Sequence, residues 1–376
     1  MNLEVSDVNT QVILIKHPLD SAVFVRPGQA LAAGSVVAFP TETVYGLGAS
    51  AFLPDAVKEI FRLKGRPADN PLIVHLLSAD DVGEVAESVP DTFWPLYEAF
   101  SPGPLTYVMP RRHDVPDEVT AGLSTVAVRF PSQPAARALL EAAGVPVVAP
   151  SANISGRPSP TRARHVLDDF AGRIPFLIDD GPCDVGVEST VIDLTSDPIR
   201  ILRPGKITAK AILERTGIQV IPWQDQVKPE DITHPLSPGM KYRHYAPKAR
   251  VVIVCPKADA LIADAFLFDI EKDGGSIGLF LSEETWQALR GRLTSQSCNT
   301  DRGGRDEKMY DHLSLYTYEG GRDLTRATHH LFDALRTLDR QAVDTIYAEG
   351  FDGEEATAYM DRLSKAATVS GITCDT

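Results

Sequence analysis

The chain has few of the residues that mark secreted, membrane or nucleic-acid-clamping proteins. Its four cysteines, Cys183, Cys255, Cys298 and Cys374, form no CxxC pair and stand at no Cys/His spacing. Neither a disulfide framework nor a structural zinc site is therefore expected, and the thiols read as reduced. The first residues, MNLEVSDVNTQVILIKHP, lack a basic segment followed by an apolar one, and no run of about eighteen uncharged apolar residues occurs anywhere. Those absences point to a cytoplasmic protein without a membrane span. Basic residues are outnumbered: the net charge is −14, with −5 over residues 1–250 and −9 over 251–376. No basic stripe with interleaved aromatics is present, which argues against a nucleic-acid clamp. Also missing are a P-loop, a GxGxxG turn after a strand, a GxSxG elbow and a cysteine in a nucleophile motif, so covalent catalysis has no candidate.

A length of 376 residues exceeds what one hydrophobic core usually organises, and two domains are expected. Apolar runs rich in Val and Ile alternate with segments of helical period, the pattern of an α/β fold. Strands are predicted at 35–40, 72–76, 105–109, 125–130, 145–150, 176–178 and 189–194. Helices are predicted at 55–64, 133–143 and 161–170. Periodicity then disappears between residues 221 and 248, a stretch with five prolines. Its cluster Tyr242, Arg243, His244 and Tyr245 is more than a polar tether needs, so it reads either as a strap that contacts a domain or as a linker whose aromatics fill a groove. Beyond it, 249–255, 276–281, 313–318 and 345–349 read as short buried strands of a small doubly wound sheet. The domains expected are thus 1–220, a linker at 221–248, and 249–376.

Four clusters in the first domain could carry chemistry. Pro40-Thr41-Glu42-Thr43-Val44-Tyr45-Gly46-Leu47-Gly48 follows a strand and offers two hydroxyls, a carboxylate and glycines that would let a ligand approach the backbone, or it is a plain turn. Lys64-Gly65-Arg66-Pro67 with Asn70 follows an amphipathic helix; its cations either flank a polyphosphate or complement the helix C-terminus. Ser151-Ala152-Asn153 after one strand and Arg129 at the end of another could converge on a carboxylate or phosphate, or Ser and Asn cap the next turn. Gly186-Val187-Glu188-Ser189-Thr190 enters a strand, with Arg203-Pro204-Gly205 after the next. The local basic groups Lys58, Arg62, Lys64, Arg66 and Arg200, Arg203, Lys206 suit a small anionic ligand. His312, His329 and His330 lack a carboxylate or cysteine at metal-ligand spacing and read as surface or packing residues.

Taken in order, PTETVYGLG, KGRP with NPLIVH, SANISG and GVESTVID resemble the YrdC-type domain of L-threonylcarbamoyladenylate synthases. The segments SPGMKYRHYAPK, GGRDLTRATHHLFDALRTLD and ATAYMDRLSKAA resemble the long, two-domain form of that family. The resemblance implies a YrdC-type twisted mixed sheet with flanking helices, followed by a smaller Rossmann-like parallel α/β domain. It implies synthesis of threonylcarbamoyl-AMP and pyrophosphate from L-threonine, bicarbonate and ATP, the first step toward N6-threonylcarbamoyladenosine in tRNA. Thr43, His75, Arg129, the backbone near Ala149, and Ser189 would then hold threonine. Lys64, Arg66, Asn70, Thr125, Ser151, Asn153, Ser159 and Arg203 would meet the nucleotide, with Lys64 and Arg66 neutralising the leaving pyrophosphate, Mg²⁺ bridging phosphate oxygens and Tyr245 closing over the nucleotide. Partners implied are a downstream threonylcarbamoyl transferase and, only indirectly, tRNA. The competing readings are an RNA-binding module without catalysis and a carbamoyl transferase of the hydrogenase-maturation type, whose appended acylphosphatase and zinc-finger modules this chain lacks.

Overall fold

Short Val- and Ile-rich segments bounded by turn residues build the first sheet of the computed structural model, which describes residues 8–223, 245–254, 275–298 and 313–367, the side chains of 293–298 excepted. Tyr242, Arg243, His244, Cys255, His312 and Cys374 lie outside the described residues. The chain divides into two units, residues 1–155 with 159–242 and residues 156–158 with 243–376.

The first unit holds strands β1 (Gln11–Leu14), β2 (Val37–Phe39), β3 (Gly46–Ser50), β4 (Ile73–His75), β5 (Leu105–Pro110), β6 (Thr125–Arg129), β7 (Val147–Val148), β8 (Phe176–Asp179), β9 (Thr190–Asp193) and β10 (Arg200–Arg203). They form one mixed sheet in the order β1-β8-β2-β3-β7-β4-β6-β5-β9-β10. The helices between them include α1 (Ala22–Ala32), α2 (Pro54–Lys64), α3 (Phe93–Phe100), α4 (Asp117–Thr120), α5 (Pro134–Ala143), α6 (Ala163–Phe170) and α7 (Ala209–Thr216). One large core gathers Val57, Ile60, Val74, Tyr107, Val128 and Phe170. A second packs Phe24, Leu31, Phe39, Leu139 and Ala149 together.

Two features differ from the sequence expectation. Strand β1 carries no strand prediction, β10 is expected only as the unbounded strand before Arg203-Pro204-Gly205, and the glycines of the PTETVYGLG segment lie in a strand, β3, and not in a turn. A Cβ at Gly48 would stand 2.7 Å from Phe39 Cε1 and 3.2 Å from Val147 Cγ1. The described neighbours of Gly48 are thus the two strands flanking it, β2 and β7, and its bare Cα lets the Phe39 ring lie across β3. Helix α2 behaves as its sequence suggests. Pro54 stands at its start, and Gly65 ends it at φ +60, with Arg66 N donating to Phe61 O at 3.0 Å.

In the second unit, β11 (Arg250–Val254), β12 (Ile277–Ser282), β13 (Leu313–Tyr318) and β14 (Thr345–Glu349) form a parallel sheet in the order β11-β14-β12-β13. Its helices are α8 (Glu283–Cys298), α9 (Leu324–Arg340) and α10 (Thr357–Ala366). Asp323 caps α9 by accepting from Arg326 N. The fully buried Glu349 side chain accepts from Ser282 N at 3.0 Å, from Thr285 Oγ1 and from Tyr318 OH, so the carboxylate is compensated by donors at the carboxyl ends of β12 and β13 and in the first turn of α8. Cys183, in the first unit, is a buried free thiol. No helix among the described residues is long and apolar enough to cross a membrane.

Gly48→Ala is expected to destabilise the chain by about 1–3 kcal/mol through overpacking against Phe39. Urea denaturation checks this; an unchanged midpoint would show that β3 does not need a bare Cα there.

Candidate active site

Register, more than loop geometry, assembles one end of the site. His75 of β4 and Arg129 of β6 are paired across neighbouring strands, and Thr106 of β5 pairs with Arg129 in turn. Directly paired residues share a face, so these three polar side chains stand side by side on one face of the sheet. Ile73, Val108, Ala127, Val191 and Leu202 form a small apolar cluster beside them. His75 and Arg129 are the last residues of β4 and β6, and Thr106 is the second residue of the antiparallel β5, so the row lies across one end of these strands.

Arg129 does not stand alone. Its Nη2 donates to Glu42 Oε1 at 2.6 Å, with the two side chains only 5 % and 6 % exposed, and its Nε donates weakly to Gly103 O at 3.4 Å. The other carboxylate oxygen of Glu42 accepts from Ser132 N at 3.2 Å, and its main-chain oxygen accepts from Val185 N at 2.7 Å. Sequence reasoning assigned Glu42 no partner. The one signal for it is a carboxylate set between two threonines directly after an apolar strand. Thr41 and Thr43 face each other with hydroxyls 2.8 Å apart, and Thr41 donates to Val44 O at 2.6 Å, so this turn is held by its own hydroxyls.

Ser189, just before β9, is held from two sides: its Oγ lies 2.8 Å from Thr106 Oγ1 and accepts from Arg203 Nη2 at 3.1 Å. Arg203 also donates through Nε and Nη2 to Ser189 O, at 3.1 and 3.0 Å. That close approach requires Gly205, because a Cβ there would lie 2.2 Å from Thr190 N. Thr106, unlike Glu42, is singled out by no sequence signal. The ring of His75 is buried, its Nδ1 lying 3.2 Å from Ile73 O. Burial, reinforced by the neighbouring Arg129 charge, pushes its pKa down to about 3, so the imidazole is neutral.

At the other ends of β4 and β6 lies the second group. Lys64 is 1 % exposed and donates to Ser151 O at 2.5 Å and Asn153 O at 2.7 Å, while its own carbonyl accepts from Ser155 N at 2.8 Å. Its ammonium therefore anchors the SAN segment, which the alternative of a cation complementing its own helix does not describe. Arg66 donates to Asn70 O and Pro71 O, at 3.4 and 3.1 Å through Nη2. Asn70 is itself buried, and its Oδ1 accepts no hydrogen bond among the described residues. A buried acceptor in that condition is costly unless a ligand supplies a donor. Ser151 pairs with Asn153 through Oγ to Oδ1 at 2.6 Å and is bridged to Gly46 of β3. Thr125 opens β6, four residues before Arg129 on the same face, roughly 13 Å along the strand. Ala149 donates its N–H to Ile73 O at 3.1 Å, and Ser159 donates to the buried carboxylate of Glu188 at 2.5 Å. Tyr245 belongs to the second unit, where its ring lies 5.1 Å from that of Phe332 and 5.9 Å from the Arg362 guanidinium.

A family model described as "Telomere recombination", covering Sua5, YciO and YrdC proteins, matches residues 29–205. A second, described as the threonylcarbamoyl-AMP synthase C-terminal domain, matches residues 207–368. Curated relatives include a threonylcarbamoyl-AMP synthase of Pyrococcus abyssi, 41 % identical over 338 residues, 89 % of this chain and 91 % of the relative. Another, of Bacillus subtilis, is 42 % identical over 335 residues, 88 % of this chain and 89 % of the relative. A crystal structure of P. abyssi Sua5 complexed with L-threonine superposes with a TM-score of 0.80 at 38 % identity, covering 95 % of this chain and 97 % of that one. Fold and matches together put the chain among the nucleotidyltransferases of mixed α/β architecture. It belongs to the threonylcarbamoyl-AMP synthase family.

Because His75 is neutral in the folded chain and its ordinary value is 6.5, the unfolded chain binds one more proton between pH 6.5 and about 3. Its burial therefore lowers stability progressively as pH falls below 6.5, by up to about 1.4 kcal/mol per pH unit. Denaturation curves at pH 7 and pH 5 should show a smaller loss in His75→Gln than in the parent; equal losses would mean that the ring is protonated in the fold.

Proposed function

We propose that this chain makes L-threonylcarbamoyladenylate and pyrophosphate from L-threonine, bicarbonate and ATP in the cytoplasm, as the first step toward N6-threonylcarbamoyladenosine in tRNA. The observation that carries the reading is the division of the polar groups along β4 and β6: Arg129, His75 and Ser189 at one end, Lys64, Arg66, Asn70 and Thr125 at the other. An amino acid with a carboxylate and a hydroxyl suits the first set, and a polyphosphate with a base suits the second.

Threonine's ammonium and bicarbonate give the carbamate with loss of water and one proton. A carbamate oxygen then bonds to the α-phosphorus of ATP as the bond to the β-phosphate oxygen breaks and pyrophosphate leaves. No protein nucleophile is needed, only alignment and charge stabilisation. Arg129 would take the threonine carboxylate. The neutral ring of His75 and the hydroxyls of Thr43 and Ser189 would meet its polar groups, which is the kind of site that rejects an analogue lacking the hydroxyl. Lys64, Arg66 and Arg203 would face the phosphates, and Asn70 Oδ1 would accept from the nucleotide. Mg²⁺ would enter with ATP on phosphate oxygens and neutralise their charge; the cationic side chains around this end fit a metal held mainly by the triphosphate. The product would pass to a downstream threonylcarbamoyl transferase, and the net charge of −14 favours no direct hold on tRNA.

Lys64→Ala and Arg66→Ala are each expected to lower threonine-dependent pyrophosphate release at least about tenfold, because one charged contact to phosphate is commonly worth more than about 1.4 kcal/mol. Parental rates in both variants would remove the nucleotide end of the site.

A further inference from the structure

We propose that Glu42 is a positioning residue for the substrate carboxylate: it holds the guanidinium of Arg129 by one edge so that the opposite edge faces threonine. This rests on the reading that Arg129 receives that carboxylate. A guanidinium is a planar fork, and two bonds on one side fix its plane. Here Nη2 is bonded to Glu42 and Nε to the Gly103 carbonyl, and neither bond uses Nη1. Glu42 is fixed in turn by Ser132 N on its second oxygen and by Val185 N on its main chain, so the carboxylate that grips Arg129 is anchored to two further segments.

The strand order gives the pair its leverage. Glu42 follows β2, Arg129 ends β6, and β3, β7 and β4 lie between them in the sheet. A long arginine side chain reaching into a polar site would otherwise sample several rotamers. The bond at 2.6 Å, with both side chains almost wholly buried, selects one. Since misplacing a reacting group by about 1 Å can cost about a hundredfold in rate, a group that sets the arginine plane should act on threonine use while leaving the nucleotide end alone.

The test is steady-state pyrophosphate release by the full chain, with threonine and ATP varied separately, in Glu42→Ala, Glu42→Gln, Arg129→Ala and the double variant Glu42→Ala/Arg129→Ala. Glu42→Ala should raise the threonine KM at least about tenfold and leave the ATP KM within about threefold, and its effect should vanish in the Arg129→Ala background, as expected for two residues acting as one unit. Glu42→Gln keeps an acceptor oxygen for Nη2 and should show a smaller rise in the same direction; it decides the matter if Glu42→Ala does not fold. An unchanged threonine KM in the Glu42 variants beside a raised one in Arg129→Ala overturns the role of Glu42 alone. An effect of Glu42→Ala that persists without Arg129, or that falls equally on ATP, overturns it as well. An unchanged threonine KM in Arg129→Ala refutes the assignment of the carboxylate to Arg129, and the proposal with it.

Discussion

The buried pair between Arg129 and Glu42 is the constraint around which this site is arranged. Removing two charges from water is expensive, and their attraction offsets that cost only when geometry is good and the remaining hydrogen-bonding positions are filled. Both conditions hold, because the second oxygen of Glu42 accepts from Ser132 N and the bond to Arg129 is short. Losing either partner would strand a charge in the interior. The turn after β2 and the end of β6 are therefore obliged to stay in register with each other although three strands lie between them.

From that fixed point the rest of the candidate site follows by strand geometry. The pairing that aligns Arg129 with His75 and Thr106 places a cation, an imidazole and a hydroxyl in one row. The burial around it and the cation beside it keep the imidazole neutral, so it can make hydrogen bonds without adding a second positive charge. Thr106 passes the row on to Ser189, and Ser189 to Arg203, so residues assigned to threonine and to nucleotide are joined by direct hydrogen bonds. Lys64 does the equivalent service at the far end by tying the SAN segment to the end of α2. In the proposed function these contacts would hold the lining in place for the ligands, as a reaction without a protein nucleophile requires.

Much of the fold was legible because buried strands advertise themselves by Val and Ile: β4, β5, β6, β8 and all four strands of the second sheet lie within a residue or two of their predicted spans. The 145–150 prediction shrank to Val147–Val148 because Pro146 and Pro150 bound it, and proline cannot donate to the ladder. Strand β3 escaped notice because Gly46 and Gly48 imitate a turn, and their purpose, room for Phe39 and Ala149, exists only in three dimensions. Site residues inside recognisable motifs could be named from sequence, but their partners could not. Glu42 and Arg129 are 87 positions apart, as are Lys64 and Ser151, and nothing local signals either pairing. Thr106 lies in a strand that reads as plain core, and only its register with Arg129 gives it a place in the site.

Whether one pocket joins an amino acid, a one-carbon acid and ATP is tested most directly by pyrophosphate release from ATP with L-threonine or bicarbonate omitted in turn. Release is predicted only when both are present. Release that proceeds without either one, or no release with the complete set, would contradict that chemistry.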